Sequence, residues 1–133
     1  MNPPVIRDEL ELLDQVVGLA GHPRVIELGC GAAQLSRKLL ERFGSAEVTA
    51  LEVDERQHAK NLASPQVRLT FVAAGAQAIP FGDGRFDLAL MLKSLHHVPL
   101  DLLDTALNEV HRVLRPGGLL YVSEPVFAGA LNE

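Results

Sequence analysis

Arg24-Val25-Ile26-Glu27-Leu28-Gly29-Cys30-Gly31-Ala32-Ala33 joins a strand to a helix. Arg24–Leu28 reads as a short strand that runs into a glycine turn. Gln34–Phe43 suits a helix, with Leu35, Leu39 and Leu40 on one face and Gly44 after it. Glycines let the backbone turn sharply and let a ligand approach without meeting a Cβ. The helix beyond presents free N–H groups at its start. Gly29 and Gly31 alone fit a plain strand-to-helix turn equally well. The dinucleotide fingerprint GxGxxG is not met, because its last glycine position holds Gln34.

The same alternation continues on both sides. Upstream, residues 5–20 place Leu10, Leu13, Val17 and Val16, Ala20 at helical spacing, after Pro3-Pro4 and before Gly21 and Pro23. Downstream, Glu47–Val53 predicts a second strand, and residues 55–63 predict a helix ended by Ser64-Pro65. Val67–Ala73 predicts a third strand. Gly75–Arg85, with Pro80, Gly82 and Gly84, reads as loop. Phe86–Leu92 predicts a fourth strand, apolar almost throughout, as a strand covered on both faces should be. Asp101–Leu114 predicts a helix with Leu103, Leu107, Val110 and Leu114 on one side. Pro116-Gly117-Gly118 reads as a tight turn into a fifth strand, Leu119–Ser123. Strand and helix in alternation imply an α/β fold, a parallel sheet with helices on both faces. Ligands of such sheets bind beyond the carboxyl ends of the strands.

Composition removes several function classes. The chain has 133 residues, enough for one domain spanning 1–133. Twelve Lys+Arg against 17 Asp+Glu leave a net charge of −5, which argues against a general polyanion binder such as a nucleic-acid protein. Cys30 is the sole cysteine, so no intramolecular disulfide forms. No apolar run approaches a membrane span, and the N-terminus carries charges where a signal peptide is apolar. A cytoplasmic protein is the expectation.

The second strand runs into Glu52-Val53-Asp54, about 20 residues past the glycines. An acid there is placed to accept from both hydroxyls of a ribose diol. Glu52 is read as the ribose ligand and Asp54 as a helix cap. Two solvated surface acids are the alternative.

These residues, taken with others, resemble the class I S-adenosylmethionine-dependent methyltransferases, in particular the small-molecule "type 11" branch. The resemblance covers residues 24–124. VIELGCG (25–31) is similar to the family's first motif, and VTALEVD (48–54) to its second-strand acid motif. QAIPFGDGRFDLAL (77–90) resembles the segment before the fourth strand. SLHHV (94–98) resembles the segment after it, and RVLRPGGLLYVSEP (112–125) the turn into strand five. The resemblance implies a Rossmann-like sheet in the order 3-2-1-4-5, S-adenosylmethionine as cofactor, and methyl transfer to a small-molecule acceptor.

It also implies a cofactor pose. Glu27 would orient the glycine turn or reach the methionyl amine through water. Gly29, Cys30 and Gly31 would line the methionine portion, and Glu52 would hold the ribose. Val53 would pack on the adenine, and Ala76 and Gln77 would meet its other edge. Met91 would offer its carbonyl to the methionyl ammonium. Two positions depart from the pattern. Ala33 stands at the family's third glycine. Gly75 stands where an Asp usually meets the adenine amino group, and the side-chain carbonyl of Gln77 is the candidate substitute.

Methyl transfer from a sulfonium needs positioning and exclusion of water more than a catalytic group. His96 is the candidate base, since a histidine titrates near neutrality. The alternative is that one of His96 and His97 packs under the loop while the other caps or faces solvent. Glu124, Lys93 and Ser94 also follow strands near that crevice. Cys30 reads as a small buried residue rather than a nucleophile. Two other functions stay open: a non-catalytic binding or assembly module, favoured by Ala33 and Gly75, and a nicotinamide-dependent oxidoreductase.

The family usually carries seven strands, with the last two beside strand five. Five are legible here, followed by about ten residues. The expectation is a C-terminally short domain whose fifth-strand edge is covered by the tail or by a second copy in a homodimer.

Overall fold

The computed structural model describes residues 9–92 and 98–123. Helix α1 (Glu9–Val17) leads into strand β1 (Arg24–Leu28), helix α2 (Gln34–Arg42), strand β2 (Glu47–Leu51) and helix α3 (Glu55–Leu62). Strands β3 (Leu69–Val72) and β4 (Phe86–Leu92), helix α4 (Leu100–Val113) and strand β5 (Leu114–Ser123) follow. The strands form one parallel sheet in the order β3-β2-β1-β4-β5, as the resemblance implied.

The pleat sorts the core into two layers. Val25, Val48, Leu88 and Leu90 pack with Leu10, Leu13, Leu39 and Leu40 of α1 and α2. Their neighbours in the strands, Ile26, Ala89 and Met91, pack instead with Val110 and Val113 of α4. Successive strand residues point to opposite faces, so β1 and β4 must be apolar on both. Truncating a fully buried Leu here to Ala would cost about 2–5 kcal/mol.

Two details differ from the sequence reading. The buried stripe of α4 is Ala106, Val110 and Val113, while Leu107 is 37% exposed. Positions 106, 110 and 113 are one helical face. The tight turn at 116–118 lies inside β5 rather than before it. Phe86 pairs with Leu114 and Leu88 with Leu119, so the extra β5 residues bulge out. Gly117 (φ 84°) turns the bulge, and a Cβ on Gly118 would meet the Arg115 carbonyl at 2.9 Å. The Arg115 guanidinium pairs with the Asp87 carboxylate, which also accepts from the Arg24 N–H at 2.8 Å.

The loop after β3 is fastened to α4. Arg112 donates to the carbonyls of Ile79 (2.9 Å) and Phe81 (2.7 Å) and pairs with Glu109 and Asp83. Glu109 accepts from the Ile79 N–H at 2.9 Å, and its carboxyl is held below the usual range by Arg112. No helix among the described residues is long and apolar enough to cross a membrane.

Candidate functional site

The glycine turn sits at the carboxyl end of β1, in the middle of the sheet. Gly29 (φ 63°), Gly31 (φ 55°) and Ala33 (φ 57°) alternate in the left-handed region. Ala33 adopts that backbone with a side chain that is fully buried, at the N-cap of α2. The turn is secured from three sides. Cys30 N–H donates to the Leu51 carbonyl (2.9 Å), Gly31 N–H to Glu52 Oε1 (2.8 Å), and Asn61 Nδ2 to the Gly31 carbonyl (2.8 Å).

Glu52 therefore has a structural task beside any ligand. Its Oε2 also accepts from the Asp54 N–H at 3.0 Å. Asp54 caps α3, accepting from the Arg56 and Gln57 N–H groups at 2.9 and 3.0 Å. Asp54 caps the helix as read, and Glu52 lines the cleft. A carboxylate carries about four acceptor positions, so Glu52 retains capacity for two further donors.

That cleft encloses about 530 Å³ between the ends of β1, β2 and β4 and the loop after β3. Leu28, Gly29, Gly31, Met91, Val98 and Pro99 line it, together with Glu52, Val53, Ala74, Gly75, Ala76 and Gln77. Val53 is 66% exposed, an apolar surface presented at the rim. A Cβ on Gly75 would meet Gln77 Oε1 at 2.8 Å and Val53 Cγ1 at 3.1 Å, so Gly75 is a cradle that a side chain would fill. A Cβ on Gly31 would stand in open space, so its glycine is demanded by backbone conformation.

A second chamber of about 330 Å³ lies on the α1–α2 side of the turn, lined by Glu9, Glu27, Cys30, Gln34, Lys38 and Ser123 among others. Glu27 is 2% exposed, and Ser36 Oγ donates to its Oε1 at 2.5 Å. Burial pushes its carboxyl up to about 7, the Ser36 bond opposes that, and the charge of Glu52 adds to it. Burial also pushes the Cys30 thiol up to about 12, with Glu27 and Glu52 adding to the effect. Such a thiol is a poor nucleophile at neutral pH. The Tyr121 hydroxyl bonds to Glu9, and burial beside that carboxylate raises its pKa above the usual value.

Of the residues read from sequence, Gly29, Gly31, Glu52, Val53, Ala76, Gln77 and Met91 line the larger chamber. Glu27 and Cys30 line the smaller one. The turn's N–H is held by Glu52, whereas Glu27 pairs with Ser36. The candidate base His96 lies outside the described residues, as do Lys93, Ser94, His97 and Glu124. Sequence reasoning passed over Ser36 and Asn61. Ser36 carried a signal: it is three and four residues before Leu39 and Leu40, a polar group on the buried stripe of α2. Asn61 carried none, since Leu62 beside it is the apolar residue and is 57% exposed.

Comparison with known proteins agrees with this geometry. The sequence pattern described as a methyltransferase domain matches residues 25–118. A malonyl-[acyl-carrier protein] O-methyltransferase of Pseudescherichia vulneris is 36% identical over 127 residues, covering 96% of this chain and 48% of that protein. The crystal structure of the [4+2]-cyclase SpnF superposes with a TM-score of 0.76 at 28% identity, over 87% of this chain and 44% of that one. A putative S-adenosyl-L-methionine-dependent methyltransferase from Methanococcus maripaludis superposes with a TM-score of 0.77 at 24% identity, over 86% and 52%. The chain spans about half or less of the length of the curated relatives it matches.

Proposed function

This chain belongs to the class I, Rossmann-like S-adenosylmethionine-dependent methyltransferases, and from that membership we propose that it transfers a methyl group to a small-molecule acceptor. The observation that carries the reading is the larger chamber. It holds an oriented carboxylate, an apolar rim residue and a side-chain-free cradle in one cleft, the set of groups a nucleoside needs. Glu52 would accept from the ribose hydroxyls, Val53 would cover one face of the base, and Ala76 and Gln77 would meet its edge. Gly29 and Gly31 would let the methionine portion lie against the backbone, with Cys30, Glu27 and the Met91 carbonyl around it. S-adenosylmethionine, when bound, supplies a methyl group already activated by its sulfonium charge.

What this chain adds is placement. Glu52 is anchored before any ligand arrives, so little side-chain freedom is lost on binding. The Arg112–Glu109 pair holds the loop that carries Ala76 and Gln77 against α4. The buried walls of Leu28 and Met91 would keep water from the ligand. His96 is proposed as the group that takes a proton from the acceptor where one must leave.

Calorimetry with S-adenosylhomocysteine tests the reading. Heat saturating at micromolar ligand is expected, and no heat at high micromolar ligand refutes it. Glu52→Ala should weaken binding by more than about tenfold, the loss of a charge-assisted hydrogen bond. SpnF, titled a cyclase, shows the same fold, so fold alone does not establish transfer. Release of S-adenosylhomocysteine in the presence of candidate acceptors does.

We further propose that residues 1–133 act as one cytoplasmic domain and that the β5 edge pairs with a second copy. β5 is the terminal strand of the sheet, and Leu119 and Val122 on it are 41% and 38% exposed. Sedimentation of the wild type and of Leu119→Lys tests this, with a dimer expected only for the wild type.

A further inference from the structure

Among the described residues, the larger chamber is lined by two polar side chains, Glu52 and Gln77. The rest is Leu, Gly, Val, Ala, Met and Pro. Glu52 stands at the β2 side, where it is tied to Gly31 and Asp54. Gln77 lies on the loop after β3 and lines the same chamber. Its carboxamide lies over Gly75: Oε1 and Cδ are 2.8 and 3.3 Å from where a Cβ on Gly75 would be. Val53 closes the same cradle at 3.1 Å. Among the described residues, a flat ring that slides along Val53 therefore has one side chain available to read its polar edge, and that side chain is neutral.

We propose that Gln77 reads the six-position edge of the purine, and that the site consequently accepts a 6-oxopurine nucleoside as well as the 6-amino form. This rests on the reading of the larger chamber as the nucleoside site. The chemistry is that of an amide. Gln offers one acceptor oxygen and one NH₂ donor side by side. A 6-aminopurine presents a donor amino group next to an acceptor ring nitrogen. A 6-oxopurine presents an acceptor oxygen next to a donor ring N–H. A half-turn of the carboxamide exchanges its two ends and matches either pattern. A carboxylate only accepts, so it can pair with the donor of either edge but repels the acceptor beside it. Sites that leave a buried polar group unpaired discriminate strongly, whereas sites that satisfy both ligands do not. The exposed Gln77 has room for that half-turn, because its neighbour Gly75 carries no side chain.

The test is a calorimetric comparison of S-adenosylhomocysteine and S-inosylhomocysteine on the full chain. The wild type should bind the two within about tenfold of each other. Gln77→Glu, which loses the donor half of the amide, should weaken both by more than about tenfold. Gln77→Ala should weaken both, by similar factors. Gly75→Ala supplies an independent route: its methyl would displace the carboxamide and should reproduce the Gln77→Ala pattern. Circular dichroism melting of each variant confirms that the fold is kept, as expected for an exposed side chain. Wild-type discrimination above about a hundredfold, or unchanged affinities in Gln77→Ala, overturns the assignment of Gln77 while leaving the nucleoside site standing. If neither nucleoside binds the wild type, the reading of the chamber fails and this inference with it.

Discussion

Replacing Glu27 by Gln should make the chain more stable at pH 8 and change little near pH 4. Glu27 is buried on β1, with one oxygen taken by Ser36 and a second carboxylate, Glu52, adding to its charge problem. Its carboxyl titrates near 7 in the fold against an ordinary value of 4.5. A group raised in the folded state contributes its full stability below pH 4.5, where both states are protonated. Stability is then lost as pH rises from 4.5 to 7, because the unfolded chain ionises first, and the loss levels off above 7. A difference near two and a half pKa units corresponds to about 3 kcal/mol at full ionisation. Between pH 5 and pH 8 the change is about 2–3 kcal/mol, since Glu in the unfolded chain is already partly ionised at pH 5. Gln keeps the carbonyl that accepts from Ser36 and removes the titration. Urea unfolding of both proteins at several pH values isolates the effect, because the other titrating groups cancel in the difference. The expected result is a stability gap that opens across pH 4.5–7 in favour of the variant. Curves that stay parallel from pH 5 to 8 would refute the argument that Glu27 carries the buried charge.

Three other outcomes follow from the same turn. Ala33→Gly should alter stability by less than about 1 kcal/mol in urea unfolding: relief of the left-handed backbone gains about 1–2 kcal/mol, while the lost buried methyl and the freer unfolded chain cost a similar sum. Asn61→Ala should destabilise the chain by about 1–3 kcal/mol, since it leaves the Gly31 carbonyl without its side-chain donor, and the Gly31 and Glu52 backbone resonances should shift in NMR spectra. Cys30 should react with a disulfide reagent at pH 8 far more slowly in the folded chain than in urea, because burial holds the thiol protonated; equal rates would mean that the thiol is exposed.

The parts of the fold that were legible are those where one local rule suffices. β1 and β4 begin and end at the residues their apolar runs predict, because strands covered on both faces leave no ambiguity in the pattern. Asp54 was legible as a cap because capping needs only the residue and the helix after it. α4 was harder. Two candidate faces, one with Leu107 and one with Ala106, differ by a single position, and the choice is made by how closely the sheet approaches. The bulge in β5 was visible as a turn but not as part of a ladder, because its register depends on Asp87 and Arg115 meeting across strands. For the candidate site, glycine spacing and the acid after β2 picked out residues that the structure brings to one cleft, Gly29, Gly31 and Glu52. Asn61 and Ser36 were missed since their partners, Gly31 and Glu27, lie in other elements, and no spacing rule connects them.

Glu52 shows why such a site tolerates departures elsewhere. A carboxylate waiting in water for a diol must be oriented at the moment of binding, and that costs freedom. Here Gly31 and Asp54 have already oriented it, one N–H on each oxygen. The same bonds tie the conformation of the glycine turn to the position of the acid. A ligand that uses Glu52 therefore meets a turn already in place, and a ligand that presses on the turn meets a carboxylate already aimed. Ala33 fits this arrangement, because its left-handed strain is borne by a turn fastened through Leu51, Glu52 and Asn61 rather than by local preference. Gly75 fits it too: the space its missing side chain leaves is bordered by the Gln77 amide and Val53, in the same cleft as the anchored carboxylate.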